Sequence, residues 1–166
     1  MEPMTKIIEV VKYGNPVLKR KSLEVSELSG DIHRIIRVMS QLMYQNKGVG
    51  LAAPQIGVSK RIIVVDIGEG LHVFINPKII WHQGKEVFQE GCLSFPGIYL
   101  DIKRSKEIVV EGLDNKGESI QYGAQGLLAR VLQHEIDHLD GILMIDRVPK
   151  KKLKLISGQL QEIKCE

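Results

Sequence analysis

The sequence predicts an α+β fold in which mostly antiparallel strands pack around a central helix, with further helices on the N-terminal and C-terminal sides. Three observations predict it. Residues 31–46 carry apolar side chains at helical spacing. The middle of the chain holds β-branched runs punctuated by turn signals. Residues 124–139 then return to helical spacing, and a last amphipathic stretch occupies about 149–164. Strands gathered between helices, rather than alternating with them, argue against a parallel doubly wound sheet. A chain of 166 residues suits one domain, residues 1–166, around one core.

Taken in order, the first helix rests on Ile32, Ile35, Ile36, Met39, Leu42 and Met43, which follow the i, i+3, i+4, i+7 rule. Gly48 and Gly50 end it and open a loop. Residues 61–66 read as a buried strand. Residues 73–75 and 79–81 read as two strands flanking a turn at Asn76-Pro77. Residues 107–113 and 118–122 flank Asp114-Asn115-Lys116-Gly117, a hairpin loop. The helix over 124–139 has Leu127, Leu128, Val131 and Leu132 on its apolar side and Gly141 as its stop. The last helix starts near Pro149, a residue suited to a first helical position, with Leu153, Ile156, Leu160 and Ile163 as its stripe.

Composition narrows the function. A net charge of +3 is too small for a protein whose main ligand is DNA or RNA. Two cysteines far apart, Cys92 and Cys165, make no disulfide framework and read as free thiols in a reducing compartment. The opening Met-Glu-Pro-Met-Thr-Lys shows no secretory pattern, and no apolar run approaches the ~20 residues that span a bilayer. The expectation is a protein of the cytoplasm.

The chemistry concentrates in His134-Glu135-Ile136-Asp137-His138. Residues four apart share one helix face, so the two imidazoles can bind one ion. Glu135 sits about 100° round the helix, beside that ion rather than in its shell. Two ligands do not make a catalytic site, where three protein ligands are usual. The best third candidate is Cys92, in Glu90-Gly91-Cys92-Leu93-Ser94, because a thiolate binds soft and borderline metals well. The remaining segment, Gly48-Val49-Gly50-Leu51-Ala52-Ala53-Pro54-Gln55, reads as a loop that a substrate backbone can approach, with Gln55 as an amide donor.

These three segments, in this order, resemble the three signature motifs of the peptide deformylases. The resemblance covers nearly the whole chain. It implies a metal-dependent hydrolase that removes the N-formyl group from the N-terminal formyl-methionine of newly made polypeptides and releases formate. It assigns Cys92, His134 and His138 to the metal, which is commonly Fe(II) and otherwise Zn(II), Ni(II) or Co(II). It makes Glu135 the general acid and base, and Gln55 and the Leu93 N–H the stabilisers of the oxyanion. Gly48, Val49 and Gly50 would pair with the substrate backbone. Leu127 and Val131, on the helix face of His134, are candidates for a methionine side-chain pocket, together with Glu90 and Ile98.

Further expectations concern support and partners. Asp137 could pair with a basic residue such as Arg104. The cluster Lys150, Lys151, Lys152 and Lys154 opens the last helix, which in related deformylases can dock on the ribosome. Neither DNA nor a membrane is expected as a partner. Two other readings compete: a zinc peptidase, which would use a third His or Glu instead of a cysteine, and a module with structural zinc, which would close its site with four ligands.

Overall fold

The computed structural model describes residues 8–165. The secretory pattern expected to be missing from residues 1–6 therefore concerns positions outside the described residues. The chain forms α1 (Gly30–Gln45), β1 (Gly50–Ala52), β2 (Ile62–Val65), β3 (His72–Gln83), β4 (Glu86–Cys92), β5 (Phe95–Arg104), β6 (Glu107–Leu113), β7 (Ser119–Gln125), α2 (Gly126–Leu139), α3 (Lys150–Leu155) and α4 (Ser157–Lys164). Short 3-10 turns occupy Ala53–Ile56 and Met144–Arg147. Five strands make one antiparallel sheet in the order β1-β2-β3-β6-β7, and β4 and β5 form a separate hairpin. The mixed helix and antiparallel sheet is the α+β arrangement expected.

The sheet lies between α1 and α2, and β2 shows why. Its four residues Ile62, Ile63, Val64 and Val65 are all fully buried. Side chains alternate across a strand, so Ile62 and Val64 pack towards α1 with Ile36, Met39 and Met43. Ile63 and Val65 pack towards α2 with Leu128, Leu132 and Ile136. Each such side chain contributes about 1.5–3 kcal/mol of apolar burial, which makes α2 a buried helix rather than a surface one. A third apolar cluster joins β5 to the segment Leu143-Met144-Ile145 and to Ile163 of α4. Among the described residues, no helix is long and apolar enough to cross a membrane.

Helix α2 begins and ends on glycines. Gly126, at φ +63°, turns the chain out of β7, so the helix starts there and Ala124 ends up in the strand. At the other end, Ile142 N donates to Asp137 O and Gly141 N to His138 O, the paired bonds of a Schellman cap. Gly141 has φ +72°, and a Cβ there would stand 2.5 Å from Lys19 O. This cap stops the helix directly after its metal-ligand candidates.

Five expectations need correction. Asn76-Pro77 is not a turn: β3 runs through it with a register shift between Ile75 and Lys78. Pro77 has no N–H to give the ladder, and Asn76 absorbs the irregularity at φ +54°. Residues 50–52 are not loop but an edge strand, paired Gly50 to Val65 and Ala52 to Ile63. The last helix is two helices that break at Ile156 (φ −110°, ψ 9°), where Ser157 and Gly158 are poor helix formers; Ser157 Oγ bonds Lys154 O instead. Pro149 is the residue before α3, not its first. Finally, Leu127 is not on a buried face of α2 but 54% exposed.

Candidate metal centre and catalytic cavity

Helix α2 stacks His134 and His138 one turn apart, with ring centroids 5.0 Å from each other. Cys92, the last residue of β4, brings its Sγ to 3.4 Å from His138 Nε2. One donor atom from each of the three residues falls within 4.8 Å of the others. A tetrahedral ion with bonds of about 2.0–2.3 Å needs donors roughly 3.3–3.8 Å apart, so the set fits a divalent cation. Among the described residues the cluster has three ligand side chains, not four. His138 Nδ1 is buried without a hydrogen-bond partner among the described residues. Burial holds the pKa of His138 well down. Burial also opposes a charge on His134, but Cys92 and Glu90 outweigh it and raise its pKa; a bound cation would displace that proton.

His134 is oriented from behind. Its Nδ1 lies 2.9 Å from Glu90 Oε1, the carboxylate-to-histidine arrangement that fixes ring direction and tautomer in metal sites. Glu90 also accepts from Arg104 Nη2 at 2.9 Å and Nε at 2.5 Å, and from Arg130 Nη1 at 2.6 Å. Burial pushes the Glu90 carboxyl up, but the His134 and Arg104 bonds prevail and bring it to about 2. Arg104 continues to Asp137 at 2.8 Å, and Arg147 grips Asp137 with two bonds of 2.7 Å. The Arg104 pair expected for Asp137 is therefore present. Glu90, expected as a wall of the side-chain pocket, borders the cavity. Both its carboxylate oxygens are engaged by cations, so it supports His134 instead.

A cavity of about 580 Å³ opens in front of the metal site. Gly48, Val49, Gly50, Gln55, Glu90, Cys92, Leu93, Ile98, Leu127, Val131, His134 and Glu135 all line it; of the metal, catalytic and substrate-binding residues that the family resemblance assigns, His138 does not. Gly50 is confined there, since a Cβ would meet Val131 Cγ1 at 2.8 Å and Glu135 Cγ at 2.9 Å. Glu135 is 3% exposed, and its Oε2 has no hydrogen-bond partner among the described residues. Burial pushes its carboxyl up to about 7, against the opposing charges of His134 and Arg104. Gln55 Oε1 accepts from Ala52 N at 3.0 Å, which turns the amide nitrogen towards Ser94 Oγ (3.1 Å) and Cys92 Sγ (3.6 Å). A larger open cleft of about 1260 Å³ near Arg61 and Asn76 contains none of the three ligand candidates.

Sequence reasoning missed Arg130, Arg147, Lys12 and Ser94. For Arg130 a signal existed: a cation inside the apolar run Leu127, Leu128, Ala129, Val131, Leu132. A buried arginine implies a carboxylate partner. Nothing local marked Lys12, whose Nζ reaches Leu93 O at 3.3 Å across 81 positions.

Three donors, an accessible fourth side and a protonatable carboxyl beside it place the chain among metal-dependent hydrolases, not among proteins with a closed structural zinc. The profile of the family described as polypeptide deformylase matches residues 7–154. A peptide deformylase of Thermodesulfovibrio yellowstonii is 49% identical over 154 residues, covering 90% of this chain and 93% of that relative. One from Pelotomaculum thermopropionicum is 51% identical over 141 residues, covering 85% and 91%. The crystal structure of the Thermus thermophilus peptide deformylase superposes with a TM-score of 0.90 at 41% identity, covering 95% of this chain and 98% of that one. The chain belongs to the peptide deformylase family. Its activity is metal-dependent removal of the N-formyl group from nascent polypeptides.

Proposed function

We propose that Cys92, His134 and His138 hold one divalent ion, Fe(II) in the cell, with Zn(II), Ni(II) or Co(II) able to replace it in purified protein. A thiolate with two imidazoles accepts each of these borderline metals. The ion would supply an activated water at neutral pH and polarise the formyl oxygen. The single observation that carries the assignment is the buried Oε2 of Glu135, without a hydrogen-bond partner among the described residues, at the cavity wall beside the three donors.

The chain's residues then divide the work. Glu135 takes a proton from the attacking water and returns it to the departing amine nitrogen. The water oxygen bonds the formyl carbon, the C–N bond breaks, and formate and a free N-terminus leave. Gln55 Nε2 and the Leu93 N–H donate to the formyl oxygen as its charge develops. Gly48, Val49 and Gly50 pair with the substrate backbone, for which β1 as an edge strand is suited. Val131, Ile98 and the exposed Leu127 at the mouth receive the methionine side chain. The substrates arise at the ribosome, which puts the enzyme in the cytoplasm. The exposed Lys150, Lys151, Lys152 and Lys154 of α3 offer a basic face for docking there.

The test is Glu135→Ala. It retains its metal and loses formate release by ~100- to 10,000-fold, the range for a general acid and base. Near-normal turnover by metal-loaded Glu135→Ala would remove Glu135 from the chemistry.

A further inference from the structure

The segment 11–13 borders the cavity at Lys12 and ties together the two stretches of chain that carry Gln55 and Leu93. Val11 N donates to Gln55 O at 2.7 Å, and Tyr13 N donates to Ser94 O at 2.9 Å. Ser94 Oγ donates to Val11 O at 2.6 Å and accepts from Gln55 Nε2 at 3.1 Å. Gln55, Ser94 and Val11 thus close a ring of hydrogen bonds in which each group has one direction to point. Ser94 is fully buried, so no water competes for its hydroxyl. On the cavity side, Lys12 Nζ reaches Leu93 O at 3.3 Å.

We infer that residues 11–13 are a positioning strap for the oxyanion donors, acting on Gln55 through Ser94 and on Leu93 through Lys12. This rests on the oxyanion role proposed above for Gln55 and Leu93. The physical reason is directional. The Gln55 amide has two N–H bonds. Ser94 Oγ takes one because its own proton is committed to Val11 O, which leaves the other N–H facing the Cys92 side of the cavity. Bonds linked in this way polarise one another. A donor held in place before the reaction needs no reorganisation when charge develops. Ser94 and Lys12 are positioning residues: they act through Gln55 and Leu93.

The experiment is a double-mutant cycle on the Ni(II)-loaded enzyme with a formyl-methionyl tripeptide, together with metal content, melting temperature and amide hydrogen exchange at Val11 and Tyr13. Gln55→Ala is expected to lower kcat ~100- to 1000-fold and Ser94→Ala ~10- to 100-fold, with KM within about 2-fold. Metal content stays the same and exchange at Val11 and Tyr13 quickens in Ser94→Ala. In the Gln55→Ala background, Ser94→Ala adds less than about 2-fold, because the residue it acts through is gone. A merely structural serine would give additive losses, and additivity would overturn the inference. So would an unchanged kcat in Ser94→Ala beside an impaired Gln55→Ala. If Gln55→Ala itself keeps full kcat, the oxyanion reading falls and the strap with it. Should Ser94→Ala not fold, Lys12→Met takes its place: a several-fold loss of kcat at constant KM supports the strap, and an unchanged kcat overturns it.

Discussion

Replacing Glu90 by Gln tests how the ligand helix is held. The carboxylate takes four hydrogen bonds, one from His134 Nδ1, two from Arg104 and one from Arg130, with its side chain only 6% exposed. An amide of the same shape offers one acceptor oxygen and turns donors against donors on its other side. With its oxygen in the Oε1 position it keeps His134 and Arg104 Nη2 but opposes Arg104 Nε and Arg130; with its oxygen in the Oε2 position it keeps those two and opposes His134. Two arginines then sit buried with less than their compensating charge, a situation that costs about 3–5 kcal/mol. The carboxyl itself gives a similar figure: it falls from 4.5 to about 2 on folding, and at ~1.4 kcal/mol per unit this is about 3 kcal/mol. A depressed carboxyl stabilises the fold above its unfolded pKa. That contribution is present in full above about pH 4.5 and is lost as pH falls towards 2. Urea unfolding of the metal-free protein between about pH 7 and about pH 3 therefore shows wild type losing stability on acidification, while Glu90→Gln starts about 3 kcal/mol lower and is flatter. The orientation that keeps the Arg104 Nε and Arg130 bonds, two charge-assisted bonds on one oxygen, leaves His134 without its orienting acceptor, so metal affinity falls ~10- to 100-fold by calorimetry. A stability change under about 1 kcal/mol together with unchanged affinity would refute the reasoning.

Two further outcomes follow from the site. Cys92→Ser replaces a soft donor by a hard, neutral one, so Zn(II) and Ni(II) affinity drops and metal preference shifts; equal metal binding by calorimetry would remove Cys92 from the coordination set. Leu127→Trp fills the cavity mouth, so discrimination between formyl-methionyl and formyl-alanyl peptides changes at least several-fold in kcat/KM; an unaltered ratio would take Leu127 out of the specificity pocket.

The helical parts of this fold are legible because their periodicity is local. The buried side chains of α1, Ile32, Ile36, Met39, Leu42 and Met43, are residues its spacing nominates. The His134–His138 spacing is equally local. The β4–β5 hairpin is absent from the sequence reading although β5 carries a signal: Ile98, Leu100 and Ile102 alternate with Tyr99, Asp101 and Lys103, and the first three are buried. Strand β4 gives no such alternation: Val87 and Phe88 are adjacent and both exposed, and its one buried residue is Glu90. Asn76-Pro77 misleads because the same dipeptide serves a turn or a bulge, and the choice depends on tertiary contacts. Here Asn76 exchanges side-chain hydrogen bonds with the Val25 backbone, 51 positions away. The support of the site is illegible for the same reason. Glu90 meets His134 across 44 positions, and Ser94 meets Val11 across 83. No local pattern encodes those pairs. Motif residues can be named from sequence, but which of them face the substrate and which brace the others requires the fold, as Glu90 shows.

The most direct measurement is formate release from a formyl-methionyl tripeptide, made without oxygen and repeated after chelation and after restoring Fe(II) or Ni(II). The account predicts release that disappears with the metal and returns with it, while the peptide bonds of the unformylated tripeptide stay intact. Folded protein that binds an ion at Cys92, His134 and His138 yet releases no formate with any metal would contradict it.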